Sequence, residues 1–102
     1  MATGSHHGTP GGAWWTATLL RRQGDQVGAQ RYYQQAIDSR HEAWAPRAAT
    51  DLADVLAEQG KTTSAATYYR QAMAYGDPAN PGAIWARRAQ QKLTALQTGA
   101  GE

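Results

Sequence analysis

Small and large apolar residues recur at helical intervals through most of the chain. Ala29, Tyr33 and Ala36 stand at i, i+4 and i+7, a spacing that gathers side chains onto one stripe of an α-helix. Ala65, Tyr69 and Ala72 repeat it. No segment alternates apolar and polar residues as a half-buried strand would. Turn-forming residues cut the pattern into five predicted helices: Ala13–Gln23, Gln26–Ser39, Ala43–Gln59, Thr63–Tyr75 and Ala83–Leu96. Asp25 and Thr62 stand where a cap would accept free N–H groups of the second and fourth helices. Gly24, Gly60, Gly76 and Gly99 stand where a left-handed residue would close the first, third, fourth and fifth. Pro46 fits the third helix because it falls in the first turn, where its missing N–H is not required.

The pattern is also duplicated. A shift of 36 residues lays Ala13, Ala17, Leu20, Gln23 and Gly24 over Ala49, Ala53, Leu56, Gln59 and Gly60. The same shift lays Ala29, Tyr32, Tyr33, Gln35 and Ala36 over Ala65, Tyr68, Tyr69, Gln71 and Ala72. Each unit is a helix, a tight turn and a helix. One such hairpin cannot cover its own apolar face, so copies are expected to stack. The alanines would let helices approach closely, and the second tyrosine of each pair would fill the space between hairpins. Tyr32 and Tyr68, about 100° further round the helix, would be partly exposed or packed against the neighbouring hairpin. The fifth helix follows a shift of 41 residues instead, with Trp85, Ala89, Leu93 and Leu96 over Trp44, Ala48, Leu52 and Val55. The extra residues fit the Gly- and Pro-containing turn Gly76–Gly82. The predicted fold class is all-α, an antiparallel helix–turn–helix repeat array of five helices. Its units cover about 13–39, 43–75 and 83–96, within a domain of residues 13–97 between tails at 1–12 and 98–102.

Composition narrows the function classes. A chain of 102 residues accommodates one small domain. The absence of cysteine removes any disulfide framework or thiolate metal site. A net charge of +2 is too mild to imply nucleic-acid binding, and Asp51, Asp54 and Glu58 interrupt any basic stripe on the third helix. No apolar run approaches the ~20 residues of a membrane span. Met1–Gly12 is polar and Gly-rich, cannot offset its ordering entropy by burial, and reads as a flexible tail without a secretory signal. The expectation is therefore a soluble, cytoplasmic protein with no nucleic-acid or membrane partner.

Catalytic chemistry finds little footing. His41 and Glu42 lack a second histidine at metal spacing, and His6 and His7 stand in the polar tail. Gly24, Gly28 and Gly60 follow no strand, as a phosphate-binding loop requires. Ser5, Ser39 and Ser64 have no nucleophile context. The reading is a non-enzyme without metal or cofactor.

Ala49, Leu52, Ala53, Leu56, Gly60, Ala65, Tyr69, Ala72 and Pro78 together resemble the tetratricopeptide repeat (TPR) family. Ala13, Ala17, Leu20, Gly24, Ala29, Tyr33 and Ala36 carry the same resemblance in the first copy, giving about two and a half repeats. The unit is 36 residues where the family's is usually about 34, Thr16 replaces the usual Leu, and Gly8 stands where Trp44 has its counterpart. The resemblance implies a protein–protein interaction module that holds a peptide or protein segment in a concave groove. That groove would be lined by Trp14, Thr18 and Arg21 from the first helix, Arg47, Thr50, Asp51 and Asp54 from the third, and Arg88, Gln91, Lys92 and Ala95 from the fifth.

One subclass of the family grips a C-terminal carboxylate with basic residues and asparagines. Arg88 and Lys92 occupy two of its basic positions, but Trp14, Thr18 and Asp51 depart from it, so no such clamp is expected. Trp14 and Trp15, beside Arg21 and Arg22, read either as an interaction hot spot or as a cover for the open end of the stack. Trp44 and Trp85 begin apolar stripes and read as structural. Arg87 and Arg88 fall early in the fifth helix, where the helix dipole disfavours cations; an acidic group beside them would relieve this. Self-association, as a homodimer or within a longer array, is the alternative function.

Overall fold

The computed structural model describes residues 9 to 100. They form five α-helices and no strand: α1 Pro10–Arg22, α2 Gln26–Asp38, α3 Trp44–Glu58, α4 Thr62–Met73 and α5 Ala83–Ala100. The histidines at 6 and 7, and the last two residues of the expected C-terminal tail, lie outside the described residues.

The helix ends follow local hydrogen-bonding chemistry. Asp25 caps α2 by accepting from the Gly28 N–H at 2.9 Å. Gly24 and Gly60 are left-handed, with φ of 87° and 80°. Behind them the Asp25 N–H reaches Leu20 O at 2.8 Å, and the Lys61 N–H reaches Leu56 O at 2.9 Å. Both turns are thus Schellman closures, matched across the 36-residue shift. Arg40 takes the same left-handed role after α2, with φ of 58°, although its Cβ makes that conformation unfavourable.

Four expected boundaries are corrected. Residues 9–12 are not tail: Thr9 Oγ1 accepts from the Gly12 N–H at 3.0 Å, and Pro10 opens α1 with a ring already set at helical φ. Thr62 does not cap α4 but is its first residue, and Lys61 precedes it without a side-chain cap bond. Gly76 does not close α4 in a left-handed conformation; the helix stops at Met73, with Ala74 as its C-cap. Gly99 does not stop α5, which continues to Ala100.

Neighbouring helices pack in sequence, α1 on α2, α2 on α3, α3 on α4 and α4 on α5. In addition α3 touches both α1 and α5, whereas the backbones of α2 and α4 stay apart. Small residues allow the close contacts. Ala13, Ala17, Ala29 and Ala36 are buried, as are their counterparts Ala49, Ala53, Ala65 and Ala72. Tyr33 and Tyr69 fill the remaining space, 1% and 4% exposed. Tyr68 packs against the neighbouring hairpin, its hydroxyl donating to Gln34 Oε1 at 2.7 Å.

The 41-residue shift also holds in space. Ala89 and Leu93 of α5 are buried like Ala48 and Leu52 of α3. The opposite stripe of α5 differs. Gln90, Thr94 and Gln97 are exposed where α3 buries Ala49, Ala53 and Leu56. Gly82 brings the start of α5 against the start of α3: a Cβ there would run into the Glu42 carbonyl oxygen and the Pro46 ring.

Candidate binding groove

Because α3 lies between α1 and α5, side chains one or two turns apart on three helices meet on a common face. They line a hollow of about 310 Å³. From α1 come Trp14, Thr18, Arg21 and Arg22; from α3 come Arg47, Thr50, Asp51 and Asp54; from α5 come Trp85, Arg88 and Lys92. Tyr33 of α2 reaches through from behind. Nine of the eleven groove residues named from the sequence therefore meet here, and Gln91 and Ala95 are exposed on α5 outside the hollow.

Arg47 is the centre of an aromatic cluster. Its guanidinium carbon lies 3.9 Å from the Trp14 ring centroid, 5.4 Å from Trp44 and 4.8 Å from Trp85. Trp14 in turn stands 5.6 Å from Trp44 and 6.1 Å from Trp15, centroid to centroid. Such cation–π contacts strengthen as water is excluded, and Arg47 Nε is buried without a hydrogen-bond partner. Arg88, exposed on α5, also stacks on Trp85, 4.8 Å from its centroid.

The two carboxylates are already engaged. Asp51 Oδ2 accepts from Trp14 Nε1 at 2.6 Å. Burial pushes the Asp51 carboxyl above its ordinary value and the charge of Asp54 adds to this, while the Trp14 bond and the guanidiniums of Arg21 and Arg47 pull it back. Asp54 is held from both sides, by the Tyr69 hydroxyl at 2.5 Å and by Lys92 Nζ at 2.8 Å. Burial, then the bond to Asp54 and its negative charge, push the Tyr69 phenol up, so it remains a donor. The position equivalent to Asp54 in the first unit is Thr18, and its oxygen meets the Tyr33 hydroxyl at 3.0 Å. Thr18 spends its own proton on Trp14 O at 3.0 Å, so Tyr33 is the donor of that pair.

Compared with protein-family models, with curated proteins and with solved structures, the chain matches none. The roles of these side chains rest on their geometry. Thr50 is 1% exposed; its hydroxyl donates to Pro46 O at 2.8 Å and lies 3.3 Å from Trp85 O. It is a seam between α3 and α5, with no donor left for a ligand. Arg21 forms an ion pair with Glu58 at 2.8 Å. Lys92 is committed to Asp54, which breaks the Arg88–Lys92 pair that a terminal-carboxylate clamp would use. The hollow holds five cationic side chains, Arg21, Arg22, Arg47, Arg88 and Lys92, against two carboxylates.

The sequence reading assigned Trp44 and Trp85 to packing and missed their place around Arg47. The visible signal was the 41-residue shift that lays Trp85 and Arg88 over Trp44 and Arg47, but Trp14 has no tryptophan counterpart under either shift. Two further hollows, of about 450 Å³ between α2 and α4 and about 600 Å³ beside Ile37 and Tyr75, were also unforeseen. They are larger but contain no tryptophan.

Proposed function

We propose that the chain is a TPR-like α-solenoid of about two and a half repeats and serves as a non-catalytic protein-interaction module, binding a peptide or protein segment along the face shared by α1, α3 and α5. The observation that carries this reading is the convergence of aromatic, cationic and hydrogen-bonding side chains from three helices on one open hollow. Interfaces draw most of their affinity from such Trp and Arg anchors. The repeat assignment is supported by the matched tyrosine bonds and left-handed glycines of the two units, and by α3 touching α1 and α5 while α2 and α4 stay apart. A cytoplasmic setting remains part of this reading.

The test is unbiased peptide selection on the isolated chain, followed by amide chemical-shift mapping of the bound peptides. Shifts concentrated on α1, α3 and α5 are expected. Selected peptides that perturb only α2 and α4 would remove the groove assignment.

One observation favours self-association as a second reading. Trp15 and Leu19, one turn apart on α1, are 52% and 39% exposed. Light scattering over a range of concentrations separates the two, since a dimer through this face would dissociate on Trp15→Ser with Leu19→Ser. Continuation of the array beyond α5 has less support, because Gln90, Thr94 and Gln97 replace the apolar stripe that a further helix would need.

A further inference from the structure

We infer that the groove contains a carboxylate-binding site at Arg47 and Arg88, and that its occupant is an internal acidic side chain of a partner polypeptide. This rests on the groove reading above and names the chemistry of the segment bound. Arg47 and Arg88 each lie 4.8 Å from the centroid of the same indole, that of Trp85. Neither forms an ion pair among the described residues, in contrast to Arg21 and Lys92. Arg47 feels the negative charge of Asp51 one turn on, but that carboxylate is turned to Trp14. Arg47 Nε is moreover buried and unpartnered.

Stacking on indole faces fixes the guanidinium planes and leaves their in-plane N–H groups as donors, the geometry that suits a carboxylate. A side-chain carboxylate fits better than a chain terminus, because Asp54 already neutralises Lys92. The excess of cations over carboxylates in the hollow favours a second acidic residue nearby in the same segment and predicts binding that weakens with salt.

The probes are an octaglutamate peptide with an amidated C-terminus and the matching octaglutamine peptide, titrated into the full chain by tryptophan fluorescence. Octaglutamate is expected to bind through α1, α3 and α5, at least about tenfold more tightly than octaglutamine, as one charged hydrogen bond would give. Arg88→Gln is expected to weaken octaglutamate by about tenfold or more, and Arg47→Lys, which keeps the charge but loses the fork, by a similar factor. Arg31→Gln, an equal loss of charge on α2, is the control and should leave binding unchanged. Arg88 is exposed, so its variant stays informative should the Arg47 variant fold poorly. Equal binding of the two peptides, no octaglutamate binding, or equal losses for Arg31→Gln and Arg88→Gln each overturn the inference. Neutral or basic peptides selected from a random library that bind the α1–α3–α5 face would leave the groove reading standing and remove only its acidic preference.

Discussion

The duplicated tyrosines offer a controlled comparison within one molecule. Tyr33 and Tyr69 occupy equivalent buried sites, and their hydroxyls donate to equivalent positions on the preceding helix, Thr18 and Asp54. The acceptors differ, and the Tyr33 hydroxyl also meets the Arg21 guanidinium. Replacing Tyr33 by Phe removes the bond to neutral Thr18, which keeps its own bond to Trp14 O, and a weaker contact with Arg21, which keeps Glu58. A loss of about 0.5–1 kcal/mol is expected, typical of a neutral hydrogen bond whose partner remains satisfied. Replacing Tyr69 by Phe withdraws a donor from a carboxylate. Hydrogen bonds to charged groups contribute about 1.5–3 kcal/mol. The Asp54 side chain is 18% exposed and retains Lys92, so water and the ammonium offset part of the loss, and about 2 kcal/mol is expected. Urea unfolding followed by far-UV circular dichroism reads both values, provided the slope m is unchanged. In an Asp54→Asn background the Tyr69→Phe loss should shrink toward that of Tyr33→Phe. A Tyr33→Phe loss equal to or larger than that of Tyr69→Phe would refute the assignment of a charged acceptor.

Other expected outcomes are open to the same measurement. Tyr33→Ala and Tyr69→Ala should each destabilise by about 3–5 kcal/mol, as buried aromatic truncations do; losses under about 1 kcal/mol at both would mean the core lies elsewhere. Gly82→Ala should cost about 1–3 kcal/mol by forcing the start of α5 away from Glu42 and Pro46, and a melting temperature unchanged from wild type would show that contact to be loose. Asp51 binds its proton more tightly folded than unfolded, so its contribution becomes more favourable as pH falls through its folded value toward that of the unfolded chain. Wild type should therefore gain stability relative to Asp51→Asn on acidification through that window, and a difference that stays constant or moves the other way rejects the assigned shift.

The repeat was legible because its signals are local or periodic. Gly24 and Gly60 announce left-handed closures, and the Ala–Tyr–Ala stripes require only helical spacing to declare a buried face. The start of α1 was not, because Gly11 and Gly12 are weak helix formers and tertiary contact overrides them. A Cβ on Gly11 would stand 3.1 Å from the Trp44 ring, so the missing side chain makes room for that indole. The groove was legible only as a face. Trp14, Arg47, Asp51 and Arg88 could be placed on it by repeat position, but the stacking of Arg47 among three indoles depends on how three helices approach one another. Thr50 illustrates the same limit: its position faces the groove, while its hydroxyl is consumed by backbone carbonyls of α3 and α5.

The unequal spacing of alternate helices has a mechanical consequence. With α3 wedged between α1 and α5, bending would pivot about that inner row and open a gap on the far side. The Tyr68–Gln34 bond spans that gap as a strut, so cutting it with Tyr68→Phe should soften the curvature of the whole chain while leaving each hairpin intact.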